Sequence, residues 1–103
     1  MRWYHYVALF FGGAFLTNTV PHFVQGISGH SFPTPFASPP GQGLSPPVVN
    51  VLWGSFNLVV GYTLCRVGGF NVRRTRDALI VGAAVILVGI MLANAFGPIF
   101  AGR

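Results

Sequence analysis

Charged side chains are scarce in this sequence. Only 7% of its 103 residues are charged, whereas a soluble domain carries about 25%. There is no lysine and no glutamate, and Asp77 is the one acidic residue. A soluble fold with so few charges would lack a solvated surface. A bilayer removes that need, because lipid wets an apolar exterior. The shortage also constrains chemistry. With no acid inside an apolar stretch, no Ser-His-Asp set and no metal cluster, the chain lacks groups that move protons or attack bonds, and no enzymatic activity is expected. Proton-coupled transport usually relies on a buried carboxylate. Asp77 sits only at the edge of a span, which argues against a proton-driven pump but not against a passive pore. Cysteine is nearly absent as well. Cys65 stands alone, which excludes an intramolecular disulfide and a paired-cysteine metal motif. It reads as a small apolar side chain packed in a helix.

What the sequence does have is apolar surface: 52% of residues are hydrophobic. A spanning helix needs about 20 largely apolar residues, and three windows supply them, at about 6–24, 48–67 and 78–96. None contains Asp, Glu or Lys. Arg66, at the end of the second, can snorkel to the interface. Lipid offers no partner to open backbone groups, so helices are expected, and three spans are too few to close a barrel. The expected fold is therefore all-α: a single membrane domain, residues 1–103, built as a bundle of three transmembrane helices. The first window could be mistaken for a signal peptide, but the run through Thr17, Asn18, Thr19, Val20 and Pro21 offers no convincing small-residue cleavage site. An uncleaved span is expected.

The net charge of +5 comes from six arginines. Four of them, Arg66, Arg73, Arg74 and Arg76, fall in one short connection, 66–77. The positive-inside rule places that loop in the cytoplasm. Alternation puts the N-terminus with Arg2 on the same side and the C-terminus with Arg103 in the periplasm. Trp3, Tyr4 and Tyr6 suit the aromatic belt at the inner interface, and Asp77 suits the positive end of the third helix. Six arginines mostly gathered at one connection explain topology better than nucleic-acid binding, so no nucleic-acid partner is expected.

Between the first two spans, residues 26–47 hold six prolines, and neither helix nor sheet is expected to persist there. Phe32, Phe36 and Leu44 are interleaved with the prolines, so this periplasmic loop is expected to fold as a lid over the helix ends. The stretch Thr19–Trp53 carries Pro21-His22-Phe23 and then Phe32-Pro33-x-Pro35-Phe36-Ala37. In these features the chain resembles, over nearly its whole length, a group of short bacterial inner-membrane proteins with no assigned activity. The resemblance implies a bacterial inner (cytoplasmic) membrane location and carries over no functional residue.

Within the spans, polar and small residues form patterns. Asn50, Gly54, Asn57, Gly61 and Gly68 follow the 3.5-residue period of a closely packed helix. Gly82, Gly89, Ala93 and Gly97 form a similar face on the third span. Glycines admit a neighbouring backbone and asparagines bond across, so the second and third spans are expected to meet along these faces, or copies of the chain to do so. Asn18 and His22 lie one turn apart on the first span, and Pro21 frees a carbonyl near Thr17. At about 1.5 Å of rise per residue, Asn18, His22, Asn50 and Asn94 fall toward one side of the bilayer, with Asn57 roughly 10 Å deeper than Asn50. The candidate cluster is therefore Asn18, His22, Asn50, Asn57 and Asn94. Two roles compete for it: mutual satisfaction that holds the bundle together, or a small pocket open to the periplasm with His22 as its titratable member.

The three histidines form no compact motif and no carboxylate lies near them, so neither metal nor cofactor is expected; haem held between two copies by His22 is the weakest alternative. Two functions remain. The first is a structural or accessory membrane protein that forms a homo-oligomer or joins a larger complex. The second is a small transporter or channel component using the polar cluster as an entry site.

Overall fold

A computed structural model describes residues 2–101 of the chain, so Arg103 and its topological role lie outside the described residues. Three long helices dominate: α1 (Trp3–Ile27), α2 (Pro47–Val67) and α3 (Thr75–Phe100). Each is long and apolar enough to cross a membrane. All three run beyond the windows expected from apolarity alone, because helix geometry continues through polar and aromatic flanks that a hydropathy window leaves out. α3, for example, takes in Arg76 and Asp77 in its first turn.

The helix ends are set by local chemistry. α1 and α2 finish in the same way: Gly29 and Gly69 adopt positive φ (78° and 69°). His30 then donates its N–H to Gln25 O (2.9 Å), and Phe70 donates to Cys65 O (2.9 Å). These six-to-one bonds, with glycine in the left-handed region, are the Schellman closure that satisfies the last carbonyls of a helix. α2 starts with Pro47 at its first position, where the missing N–H costs nothing. α1 continues through Pro21 without a break.

Between α1 and α2 the chain does form a sheet, contrary to expectation. Two short strands, β1 (Phe32–Pro33) and β2 (Leu44–Ser45), pair antiparallel, Phe32 opposite Ser45 and Pro33 opposite Leu44. At two residues each, they leave the other prolines outside the ladder, where a lost donor does no harm. Thr34 and Ser45 join their hydroxyls at 2.6 Å, and both are buried.

α1 is the central helix. It packs against α2 on one side and α3 on the other, and α2 and α3 make no comparable contact with each other. This corrects the expected pairing of the second and third spans. The stripe Gly54, Gly61 and Gly68 faces α1. A Cβ on Gly54 would lie 2.8 Å from the backbone nitrogen of Phe23, and one on Gly61 would lie 3.0 Å from Gly12 O. Gly12 in turn admits α2, since its own Cβ would sit 3.1 Å from Cys65 N. Backbone thus meets backbone across the seam, the geometry that small residues permit in membrane helices. α3 meets α1 at Gly13, where an added Cβ would be 3.0 Å from Ala84 Cβ, and the Arg76 guanidinium lies 5.6 Å from the Tyr6 ring centre. Gly82, Gly89 and Gly97 do not pack in this chain: a Cβ on any of them would meet nothing within 4 Å, and Ala93 is exposed. The reason is rotational. α3 turns Ala84 toward α1, which leaves Ala93 exposed and Gly89 at the edge of an open groove beside Leu16, Thr17 and Pro21.

Candidate functional site

Four of the five polar candidates meet, as two separate pairs rather than one cluster. In the first pair, His22 Nδ1 lies 2.9 Å from Asn50 Oδ1. The Asn50 amide nitrogen faces three backbone carbonyls: Phe32 O (3.0 Å), Ser45 O (3.1 Å) and Pro46 O (3.3 Å). Carbonyls only accept, so they fix which end of the amide is NH2. Its oxygen must then face His22, and His22 must donate from Nδ1. Asn50 therefore joins α1, the start of α2 and both strands at one point. Asn50 is fully buried and His22 nearly so.

The second pair lies toward the middle of the helices. Asn57 donates its amide to Trp53 O one turn earlier (2.7 Å), which orients it. Its oxygen then accepts from Asn18 Nδ2 (3.1 Å). Asn57 is buried while Asn18 is half-buried. The Asn18 carbonyl oxygen accepts no hydrogen bond among the described residues. Both asparagines border a largely apolar groove of about 560 Å³ between α1 and α3, lined also by Phe11, Phe15, Leu87 and Met91. Asn94 joins neither pair. It is exposed on α3.

Aromatic rings from β1, α2 and α3 surround His22, contacts that sequence reasoning did not assign. Phe32, Trp53 and Phe96 present their rings edge-on to His22 at 5.3, 6.3 and 6.0 Å between centroids. Phe32 also stacks on Phe100 at 5.3 Å, and Phe36 sits edge-on to Trp53 at 5.2 Å. Of the three expected anchors only Phe32 is buried; Phe36 and Leu44 are exposed, though Phe36 still touches Trp53. Trp53 Nε1 is the one buried side-chain polar atom left without a partner among the described residues. In a chain with 15% aromatic residues, nothing in the sequence distinguishes these rings except their nearness to His22 and to the proline motif.

The chain matches no known protein family, no curated protein and no solved structure.

The remaining titratable groups stand apart from His22. His5 accepts the Arg2 backbone N–H (3.0 Å) at the start of α1. His30 pairs with Gln25 Oε1 (2.9 Å). No three metal-ligating side chains gather among the described residues. At the opposite end of the molecule, Asp77 is fully buried. It accepts the Asn71 backbone N–H (3.0 Å) and lies 3.5 Å from Arg76 Nε and 3.9 Å from Arg74 Nη1. Two of the four clustered arginines therefore brace the connection between α2 and α3. Arg66 bonds Tyr62 Oη at 3.0 Å.

Chemically, the two amide pairs serve as joints. Each uses a carbonyl to orient an asparagine and the asparagine to hold a residue of α1.

Proposed function

We propose that this protein is a non-enzymatic structural or accessory component of a bacterial inner membrane, which self-associates or docks into a larger membrane complex. The observation that carries this reading is the state of α3. Among the helices it packs on α1, with Phe32 of β1 against Phe96 and Phe100 near its end, while a Cβ on Gly82, Gly89 or Gly97 would meet nothing within 4 Å and Ala93 is exposed. Small residues of this kind let a second helix approach closely in lipid. The polar side chains support the same reading, since His22, Asn50 and Asn57 are occupied by one another and by backbone. The pocket reading draws less support: His22 and Asn50 are sealed under Phe32.

The orientation belongs to this proposal. Arg2 and the 66–77 connection share one end of the molecule, as the Arg76–Tyr6 contact requires, and we assign that end to the cytoplasm. Residues 28–46 and the C-terminus then face the periplasm. Native mass spectrometry of the protein taken from its own membrane into lipid nanodiscs tests the functional reading. We expect assemblies of two or more copies, or a co-purifying membrane protein. A lone monomer without partners would refute it.

A further inference from the structure

The arginine-rich end contains a cleft that no part of the helix packing uses. It has a volume of about 510 Å³ and is lined by Arg66, Gly69, Phe70, Asn71, Val72 and Arg74. Charge in this region is unbalanced. Residues 66–77 carry four arginines against one aspartate, a net +3. That aspartate is fully buried and already engaged by Arg74 and Arg76. No second acidic side chain exists in the chain to meet Arg66 or Arg73. Arg66 is held in place rather than roaming: it bonds Tyr62 Oη at 3.0 Å, and its guanidinium lies 5.8 Å from the Tyr62 ring centre. Arg74, the other arginine on the cleft wall, lies 3.9 Å from Asp77 Oδ2.

Depth identifies the ligand. The 21 residues of α2 span about 30 Å at 1.5 Å each, which matches the hydrocarbon thickness of a bilayer. Arg66, in the last turn, therefore lies where acyl chains give way to phosphates. The neighbours agree with that depth. Val67, Phe70 and Val72 are 57%, 41% and 77% exposed, which suits contact with lipid chains better than contact with water. A group of arginines beside exposed apolar residues at this level matches an anionic phospholipid, phosphate and acyl chain together. Free phosphate would use only the arginines.

We propose that this cleft is a binding site for the phosphate of an anionic phospholipid, with Arg66 as its unneutralised cation and Phe70 and Val72 against the lipid's apolar part. The test reconstitutes the full chain in an equimolar mixture of phosphatidylglycerol and phosphatidylcholine. Lipid retained after mild detergent extraction is then counted by native mass spectrometry. The wild type should retain phosphatidylglycerol preferentially. Arg66→Gln should lower that preference about fivefold, the factor for one arginine near a membrane surface. Arg2→Gln removes the same charge at the same end but outside the cleft, and should lower it far less. Inorganic phosphate added at constant ionic strength should not displace the lipid. Equal retention of both lipids by the wild type would overturn the proposal without recourse to any variant. So would an Arg2→Gln effect as large as that of Arg66→Gln, which would indicate diffuse surface charge. Displacement by inorganic phosphate would assign the cleft to a soluble anion instead.

Discussion

Replacing Asn50 by leucine removes one side chain that α1, α2 and the intervening segment share. Its oxygen accepts from His22, and its two amide protons are divided among three carbonyls. Two protons fully serve two carbonyls, so about three hydrogen bonds are lost together. Intramembrane side-chain bonds contribute about 0.6 kcal/mol on average and up to about 1.7. The expected destabilisation is therefore roughly 2 to 5 kcal/mol. Leucine matches asparagine in branching but is bulkier, so no cavity is left and any overpacking at this buried site adds to the cost. Asn18→Leu provides the comparison, because it removes a single bond to Asn57 and should cost roughly 0.6 to 1.7 kcal/mol. Both costs can be read from denaturing-detergent titrations in bicelles. Asn50→Leu should also expose residues 28–46 to protease at detergent levels where Asn18→Leu still protects them. If Asn50→Leu costs no more than Asn18→Leu, or leaves that segment equally protected, Asn50 is not the joint described here.

Gly54→Ala places a Cβ 2.8 Å from the Phe23 backbone nitrogen. It should cost about 1 to 3 kcal/mol in the same titration, whereas Gly82→Ala, which meets nothing, should stay within about 0.5 kcal/mol. Ala93→Leu, at an exposed position, should shift native mass spectra from assemblies toward monomer while leaving monomer stability unchanged within about 0.5 kcal/mol. In a Cys65→Ser background, a cysteine replacing Ser38 should react with an impermeant maleimide added to intact cells. One replacing Val72 should react only after the membrane is opened.

Much of the fold was legible in the sequence, because a bilayer imposes long apolar runs that composition alone reveals. The 3.5-residue repeat of Asn50, Gly54, Asn57, Gly61 and Gly68 marked the face of α2 that packs closely. It could not name the partner, since a stripe of small residues records how near a neighbour comes and not which neighbour it is. The choice of α1 depends on matching glycines such as Gly12 and Gly26, which are spaced among bulky residues and form no obvious stripe. Asn94 resembles the other asparagines on paper. Only the rotation of α3, set by Ala84 against Gly13, turns it outward. The β1–β2 ladder was hidden by its prolines, because its stability comes from Asn50, which lies outside the ladder and binds carbonyls from both strands. The two-pair division of the polar cluster was hidden for a similar reason. It follows from which carbonyl orients each amide, and spacing does not encode that.

Nitrogen-15 spectroscopy of His22 in lipid bilayers tests the central assignment most directly, namely that the polar side chains of the spans are committed to one another. The account predicts one tautomer, with the proton held on Nδ1, slow exchange with water, and loss of that signature in Asn50→Leu. A wild-type ring that interconverts between tautomers, or exchanges its proton freely with water, would contradict it.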